Sequence, residues 1–178
     1  MKGLIIESKS DLYKVELKKN NKKIVYEANA RGKFKKEDIS PLVGDIVEIE
    51  ITDEENKKAV IEKIEERKVY IKRPKLANIT QIIFVVSSIN PKPDLLMLDK
   101  QLAFAEYLNI NSIIVLNKID LDKNNTFKEI KNTYEKIGYT VIETDAKNNI
   151  GILKLKECMR NKINAFSGNS GVRKVNFN

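Results

Sequence analysis

Apolar and polar positions alternate in short runs through the first 75 residues. Val47-Glu48-Ile49-Glu50-Ile51 is the clearest run; Gly3 to Ile6, Leu12 to Leu17, Ile24 to Ala30, Asp45 to Ile51 and Ala59 to Ile64 share its wealth of β-branched residues. A period of two puts every second side chain on one face, so each run predicts a half-buried strand. Lys19-Asn20-Asn21-Lys22 and Asp53-Glu54-Glu55-Asn56 are turn-forming sequences between them. Five short strands in this length predict a small OB-like barrel, which closes its edges and presents one face to oligonucleotides.

The pattern changes at Arg73-Pro74-Lys75, where proline disfavours helix in the residue before it, and a domain boundary is placed there, between residues 1–75 and 76–178. Beyond it, strands lose their alternation and helical spacing appears. Gln81 to Ser87 and Ser112 to Leu116 are nearly continuous apolar strands, with Thr140 to Glu143 and Ile163 to Ser167 as shorter ones. Leu95 to Tyr107, with Leu98, Leu102 and Ala105 on one stripe, Phe127 to Ile137 and Gly151 to Lys162 predict helices. Apolar strands separated by helices predict an α/β unit, its parallel sheet covered on both faces and its ligand held at the carboxyl ends of the strands.

Composition narrows the chemistry. With 42% apolar and 33% charged residues and no apolar run near a membrane span, the 178-residue chain has the make-up of a soluble globular protein. No basic-then-apolar leader opens it, and a cytoplasmic monomer with no membrane partner is the expectation. One cysteine excludes an internal disulfide and a multi-thiolate zinc site, and the absence of histidine excludes serine triads and the common histidine-containing zinc sites. Cys158, between Leu155 and Met159, is read as a core thiol. The net charge of +8 is unevenly laid out. Lys14 to Lys36 holds nine basic residues against two acids, Glu37 to Glu66 eleven acids against three lysines, and Arg67 to Lys75 five basic residues and no acid. Such segregation suits either solvated strand faces or a surface for a polyanion.

Two short motifs carry the candidate function. Asn117-Lys118-Ile119-Asp120 directly follows the apolar strand Ile113 to Leu116. One carboxylate can accept both the N1 and 2-amino protons of guanine, a role that fits Asp120. The aliphatic stem of Lys118 can cover the flat base, and Asn117 can tie the loop to neighbouring backbone. Thr144-Asp145-Ala146-Lys147 follows the next strand, where a backbone N–H would meet the base carbonyl. Its pattern is near Ser-Ala-Lys, with Asp145 in place of the small hydroxyl residue.

Gly168-Asn169-Ser170-Gly171-Val172 opens like a phosphate loop, G-x-x-x-x-G-K-[ST], in which glycines let backbone N–H groups face phosphate. Lys174 stands in frame, but Arg173 occupies the second glycine position and Val175 the position of the Mg²⁺-holding hydroxyl. In ordinary GTP-binding domains the phosphate loop comes first. The reversed order here implies a circular permutation.

These motifs, with Arg31-Gly32-Lys33, Val43-Gly44-Asp45, Arg73-Pro74 and Ala77-Asn78-Ile79-Thr80-Gln81, make the chain resemble the ribosome-small-subunit-dependent, circularly permuted GTPases (RsgA, YjeQ, EngC) over nearly its whole length. The resemblance implies an OB-like RNA-binding barrel followed by a permuted P-loop GTPase domain. It also implies GTP or GDP with Mg²⁺, a role in late maturation of the small ribosomal subunit with its 16S-type rRNA, and zinc in a C-terminal domain beyond this sequence. The nucleotide would meet Asn117, Lys118, Asp120, Thr144, Ala146, Lys147, Gly168, Asn169, Ser170, Gly171, Val172 and Lys174. RNA phosphates would meet Lys22, Arg31, Lys33, Lys35, Lys36, Lys72 and Arg73, with Tyr26 or Phe34 stacking on bases. A rival reading is a non-catalytic OB-type RNA-binding module with a folded α/β appendage; another P-loop-type nucleotide enzyme is a weaker third.

The sequence departs from the family after Val172. With Arg173 and Val175 in the loop and no switch segment following, no GTP hydrolysis is expected of the chain as written. A sheet face or edge left uncovered is expected in its second half. One nucleotide accounts for the ending. If Gly-Val-Gly-Lys-Ser-Thr-Leu-Ile-Asn is coded GGA GTT GGA AAG TCA ACT TTA ATT AAT, inserting A after GTT gives GGA GTT AGG AAA GTC AAC TTT AAT TAA. That reads Gly-Val-Arg-Lys-Val-Asn-Phe-Asn-stop, the observed residues 171–178. A frameshifted, truncated product is the expectation, and the gene sequence checks it: the neighbouring frame after Val172 should encode an intact Gly-Lys-[Ser/Thr] loop.

Overall fold

The alternating runs form β1 (Lys2–Lys9), β2 (Leu12–Lys19), β3 (Lys22–Ala30), β4 (Ile46–Asp53) and β5 (Lys58–Ile64), each within a few residues of expectation. The structure, a computed structural model, describes residues 1–168 except 21, 37, 38, 88, 90, 91 and 124, with the backbone alone at 35 and 36. It divides into two units, Met1–Asn78 and Ile79–Asn178.

In the first unit the strands close into a barrel in the order β1-β2-β3-β5-β4, with β3 and β5 parallel and the other pairs antiparallel. The inward positions meet in one core: Ile5, Val15, Leu17, Tyr26, Val47, Ile49, Ala59 and Ile61. Between β3 and β4 lies a single helical turn, α1 (Lys33–Lys36), which the two-residue pattern does not signal; its Phe34 joins the core.

Val43-Gly44-Asp45 is the knot of this unit. Gly44 N–H donates to Ile5 O at 2.8 Å and Ala77 N–H to Val43 O at 2.9 Å. Gly44 has φ +94°, and a Cβ there would lie 1.8 Å from Ala77 O, so both its conformation and its contact demand glycine. Asp45 is fully buried and holds three donors: Leu42 N–H at 2.7 Å and both Nε and an Nη of Arg67 at 2.8 Å. The same Nη donates to Ser40 O at 2.8 Å. Two short strands follow, β6 (Tyr70–Ile71) and β7 (Leu76–Ala77), paired antiparallel around Arg73-Pro74. They carry the first unit past the proline to Asn78, whose side chain accepts from Lys68 N–H at 2.8 Å and donates to Gly44 O at 3.1 Å.

The second unit alternates β8 (Gln81–Ser87), α2 (Leu95–Tyr107), β9 (Asn111–Asn117), α3 (Thr126–Lys136), β10 (Thr140–Thr144), α4 (Ile152–Met159) and β11 (Asn164–Gly168). The sheet is parallel in the order β10-β9-β8-β11. The chain steps from β8 to β10 in one direction, then returns past β9 and β8 to β11. Right-handed crossovers therefore set α2 and α3 on one face and α4 on the other. Leu155, Cys158 and Met159 of α4 accordingly pack with Ile83, Val85, Ile113, Val115, Ile142 and Phe166, Cys158 being only half-buried. The alternate strand residues Ile82, Phe84, Ile114, Leu116 and Val141 are also buried, as are Leu98, Leu102 and Ala105 of α2 and Phe127, Ile130 and Tyr134 of α3. The edge strand β11 is half-exposed at all five positions. At the amino ends, buried Gln81 joins three strands through Asn111, Asn164 and Lys162. No described helix is long and apolar enough to cross a membrane.

Asp45→Ala would leave Leu42 N–H without its acceptor and the Arg67 guanidinium facing Ser40 O alone. Removing one member of a buried pair costs about 3 kcal/mol or more, and the half-screened guanidinium places this case at the lower end. Chemical denaturation is expected to show that loss in the first unit, with the α/β unit unchanged.

Candidate functional site

Parallel in-register pairing builds the site from the strand ends. Ser87 on β8 lies opposite Asn117 on β9, and Asn117 opposite Thr144 on β10. The three polar residues form a buried row at the carboxyl ends of three apolar strands, each at most 1% exposed. A polar side chain so enclosed needs partners. Asn117 Oδ1 accepts from Thr144 Oγ1 at 3.0 Å and from Ala146 N–H at 3.3 Å, so one amide joins the β9 turn to the β10 turn. Ser87 Oγ donates to Ile89 O at 2.7 Å.

After Asn117 the backbone turns sharply. Lys118 adopts the left-handed conformation, φ 68°, and its Nζ reaches Ile89 O at 3.3 Å, stretching its side chain from the β9 turn to the β8 turn. One 3₁₀ turn, Ile119–Leu121, then presents Asp120 to solvent, where no described residue bonds its carboxylate. Asp122 ends this turn and starts the next helix, its two oxygens accepting Thr126 N–H at 3.0 Å and Phe127 N–H at 2.9 Å. These are unsatisfied donors of the first turn of α3, so an aspartate four residues upstream supplies the cap.

The β10 turn is held by a residue that sequence reasoning marks only as a departure from pattern. Asp145 is 2% exposed; its carboxylate accepts Lys147 N–H at 2.9 Å, Asn148 N–H at 3.3 Å and the Asn148 side-chain amide. Its backbone exchanges two hydrogen bonds with Ile150. Burial pushes this carboxyl up, but the bonds from Asn148 and Lys147 outweigh it and hold it below the usual aspartate value. Gly151, φ +73°, closes the turn where a Cβ would lie 2.1 Å from Glu143 O. The signal available in sequence was Asp followed two and three residues later by Lys-Asn, a side-chain-to-backbone turn.

Asn117, Lys118, Asp120, Ala146 and Lys147 thus line one cleft of about 230 Å³, joined by Leu121 and Asp145, with Thr144 bonded to Asn117 beneath. Gly168 is apart from them. It lies opposite Val85 on β11, two strands from β9, and lines a smaller hollow with Ser87, Lys92 and Ser167. Asn169, Ser170, Gly171, Val172 and Lys174 are outside the described residues.

A model of the RsgA GTPase family matches residues 64–177, and a model of the RsgA N-terminal domain matches residues 2–61. The chain belongs to the RsgA GTPase family. The small ribosomal subunit biogenesis GTPase RsgA of Alkaliphilus metalliredigens is 43% identical over 97% of this chain, and that of Ruminiclostridium cellulolyticum 40% over 97%. The chain spans 58% and 55% of their lengths. Two crystal structures share the fold: YloQ, a circularly permuted GTPase, with TM-score 0.77 and 31% identity, and YjeQ from Thermotoga maritima, with TM-score 0.77 and 32% identity. Each alignment covers 96% of this chain and 60% or 61% of the other. Permutation is therefore a property of the RsgA-type fold seen here, with the β9 turn preceding the β11 end in sequence.

The expected RNA-contacting residues do not gather in one place. Lys22 starts β3 and Arg31 follows its end, roughly 25–30 Å away at a strand's rise per residue. Arg31 is committed to Glu62 and Glu50. Lys33, its Nζ 5.4 Å from the Phe34 ring centroid, Lys72 and Arg73 are exposed, and the side chains of Lys35 and Lys36 are outside the description. Base stacking by Tyr26 or Phe34 is ruled out. Tyr26 is 2% exposed with its hydroxyl on Glu54, and Phe34 is in the barrel core. Alternation along β3 sets Tyr26 on the inward face; Phe34 lies in α1, outside any alternating run.

The depressed Asp145 carboxyl gives a signed pH dependence. Its contribution to stability is present above the unfolded value of about 4 and is lost as pH falls through its lower folded value. Asp145→Asn is expected to be less stable than the parent at pH 7, and the gap should close progressively below about pH 4 in urea melts followed at a series of pH values.

Proposed function

We propose that the Asn117–Asp120 and Thr144–Lys147 turns hold the base of GDP or GTP. In this reading the chain serves small-subunit ribosome biogenesis in the cytoplasm, its barrel contacting rRNA. The observation that carries the nucleotide reading is the buried Asn117 amide, which locks the two turns around one cleft, with the Asp120 carboxylate at its rim bonded to no described residue. Asp120 accepts the N1 and 2-amino protons of guanine, the Lys118 stem covers the ring, and the Ala146 N–H serves the base carbonyl. Adenine offers an acceptor where guanine has its N1 donor, so a carboxylate at Asp120 rejects it through repulsion as well as lost bonds. The relatives' name, small ribosomal subunit biogenesis GTPase, and the OB-type strand order support the wider role.

Mg²⁺ and zinc fit this chain less well than the nucleotide does. The loop position that holds Mg²⁺ through a hydroxyl is Val175, which has no side-chain oxygen to offer, and Arg173 adds bulk where phosphate approaches. Among the described residues no group of three or more His, Cys, Asp or Glu converges on a metal position. No hydrolytic step is assigned to this sequence, and the base contacts act with little help from phosphate.

Titration with fluorescent nucleotides is expected to show GDP bound more weakly than about 1 µM and preferred over ADP. Asp120→Asn should lower GDP affinity about tenfold or more and favour a xanthine nucleotide, whose 2-oxo group accepts from the new amide. The same change placed in a full-length relative should redirect turnover from GTP to XTP. GDP binding indifferent to Asp120→Asn would leave the α/β unit an appendage of an RNA-binding barrel.

A further inference from the structure

The first unit has four aromatic side chains, and they are poorly placed for stacking on bases. Tyr13, Tyr26 and Phe34 are buried, and Arg67 lies over the ring of Tyr70, 5.7 Å from its centroid. Single-stranded sites are built on exposed aromatic platforms. With Tyr70, 46% exposed, the one aromatic ring of the four left at the surface, RNA contact by this barrel rests mainly on phosphates, and the question is where its positive charge goes uncancelled.

Along the strands of the barrel part of it is cancelled. Ion pairs form between strands or their ends at Arg31–Glu62, Lys14–Glu7 at 2.9 Å and Lys2–Glu65 at 3.0 Å. The tip of the β2–β3 hairpin differs. Its register places Lys18 opposite Lys23 and Lys19 opposite Lys22. Like charges directly opposite each other destabilise a ladder, yet two such pairs stand in succession. Strand alternation puts Lys18 and Lys23 on the outer face and Lys19 and Lys22 on the face that, further along, carries Leu17 and Tyr26 into the core. All four are exposed. Lys23 has Glu16 at 3.0 Å; among the described residues no carboxylate is within ion-pair distance of Lys18, Lys19 or Lys22, Glu54 feeling Lys19 only as a more distant charge.

We infer that this hairpin tip is a clamp for double-stranded RNA, entering a groove with one lysine pair toward each flanking row of phosphates. A two-stranded ribbon is about 5 Å across its backbones and sends side chains out perpendicular to its plane on both sides. Charge on both faces suits two phosphate rows on either side of the ribbon, as at the mouth of the narrow A-form major groove, where no base edge need be read. The contact is sequence-independent and steeply salt-dependent. It rests on the reading of the barrel as the RNA-contacting part, and it moves the main contact from the Arg31 end of β3 to the opposite end.

The test uses the whole 178-residue chain and a short blunt RNA duplex. Lys18→Gln, Lys19→Gln and Lys22→Gln together are expected to lower duplex affinity about tenfold or more at low salt. They should also flatten the log–log salt dependence by about two to three, close to 0.9 per phosphate contact. The thermal midpoint should hold or rise, because the cross-strand repulsion is gone. Lys2→Gln, Lys14→Gln and Lys63→Gln together remove the same charge from lysines already paired with Glu65, Glu7 and Glu65, and should leave affinity and slope near the parent's. Unchanged affinity and slope in the hairpin variant, an equal loss in the second variant, or tighter binding of a single strand than of the duplex would each overturn the inference. So would absence of any RNA binding by the parent chain. GDP binding, followed on the same samples, reports on the guanine site separately and should be the same in all three proteins.

Discussion

The side-chain amide of Asn117 is the interaction on which the candidate site depends. It sits at the end of a strand buried on both faces, where an unpaired amide would be costly, and one oxygen meets that demand by accepting from Thr144 and Ala146 together. The price of burying it is met only when β9 and β10 are in register and both turns are closed. The β9 turn that carries Lys118 and Asp120 and the β10 turn that carries Ala146 and Lys147 are therefore assembled as one object. Asp145 and Asp122 support it from outside, one by closing the β10 turn, the other by starting α3 directly after the β9 turn.

This arrangement is compatible with a permuted order, because the candidate cleft is built from consecutive elements. Everything that positions the cleft lies between β8 and α4, in consecutive strand–helix units with right-handed crossovers to adjacent strands. The strand that leads toward the phosphate loop, β11, is added last and on the far side of β8. Its half-exposed residues and its distance of two strands from Asn117 make it the part of the sheet least bound to the base cleft. Arg173 and Val175 follow that strand in sequence and are not among the residues that line the cleft of Asn117 and Asp120.

The barrel follows a different logic. Charge that looks segregated along the chain is partly folded back on itself, because closure of the barrel brings basic and acidic residues of different strands or their ends into ion pairs such as Arg31–Glu62, Lys14–Glu7 and Lys2–Glu65. The hairpin tip survives as a concentrated cationic feature, as do the exposed Lys72, Arg73 and Lys75 around the β6–β7 turn. Val43-Gly44-Asp45 has no ligand role in this picture. It is a structural knot in which a positive φ, a close backbone approach and a buried carboxylate tie β1, Arg67 and β7 together.

Much of this was legible in the residues themselves. Alternation in Val47 to Ile51 and unbroken apolar runs in Gln81 to Ser87 and Ile113 to Leu116 reflect side-chain burial on one face or on two, so strand class and fold class follow from the chain alone. Asn117-Lys118-Ile119-Asp120 after such a run already located a candidate cleft. Local pattern carried no trace of α1, β6 or β7, which are too short for a period to register. It also could not assign Phe34 to the interior, Arg31 to Glu62 and Glu50, or Asp145 to the closure of a turn. These depend on which residues distant in sequence become neighbours. The sequence by itself determined the elements and the chemical groups available; the tertiary structure alone decided which groups are spent on each other and which remain for a ligand, because hydrogen bonds and ion pairs are settled by distance in space.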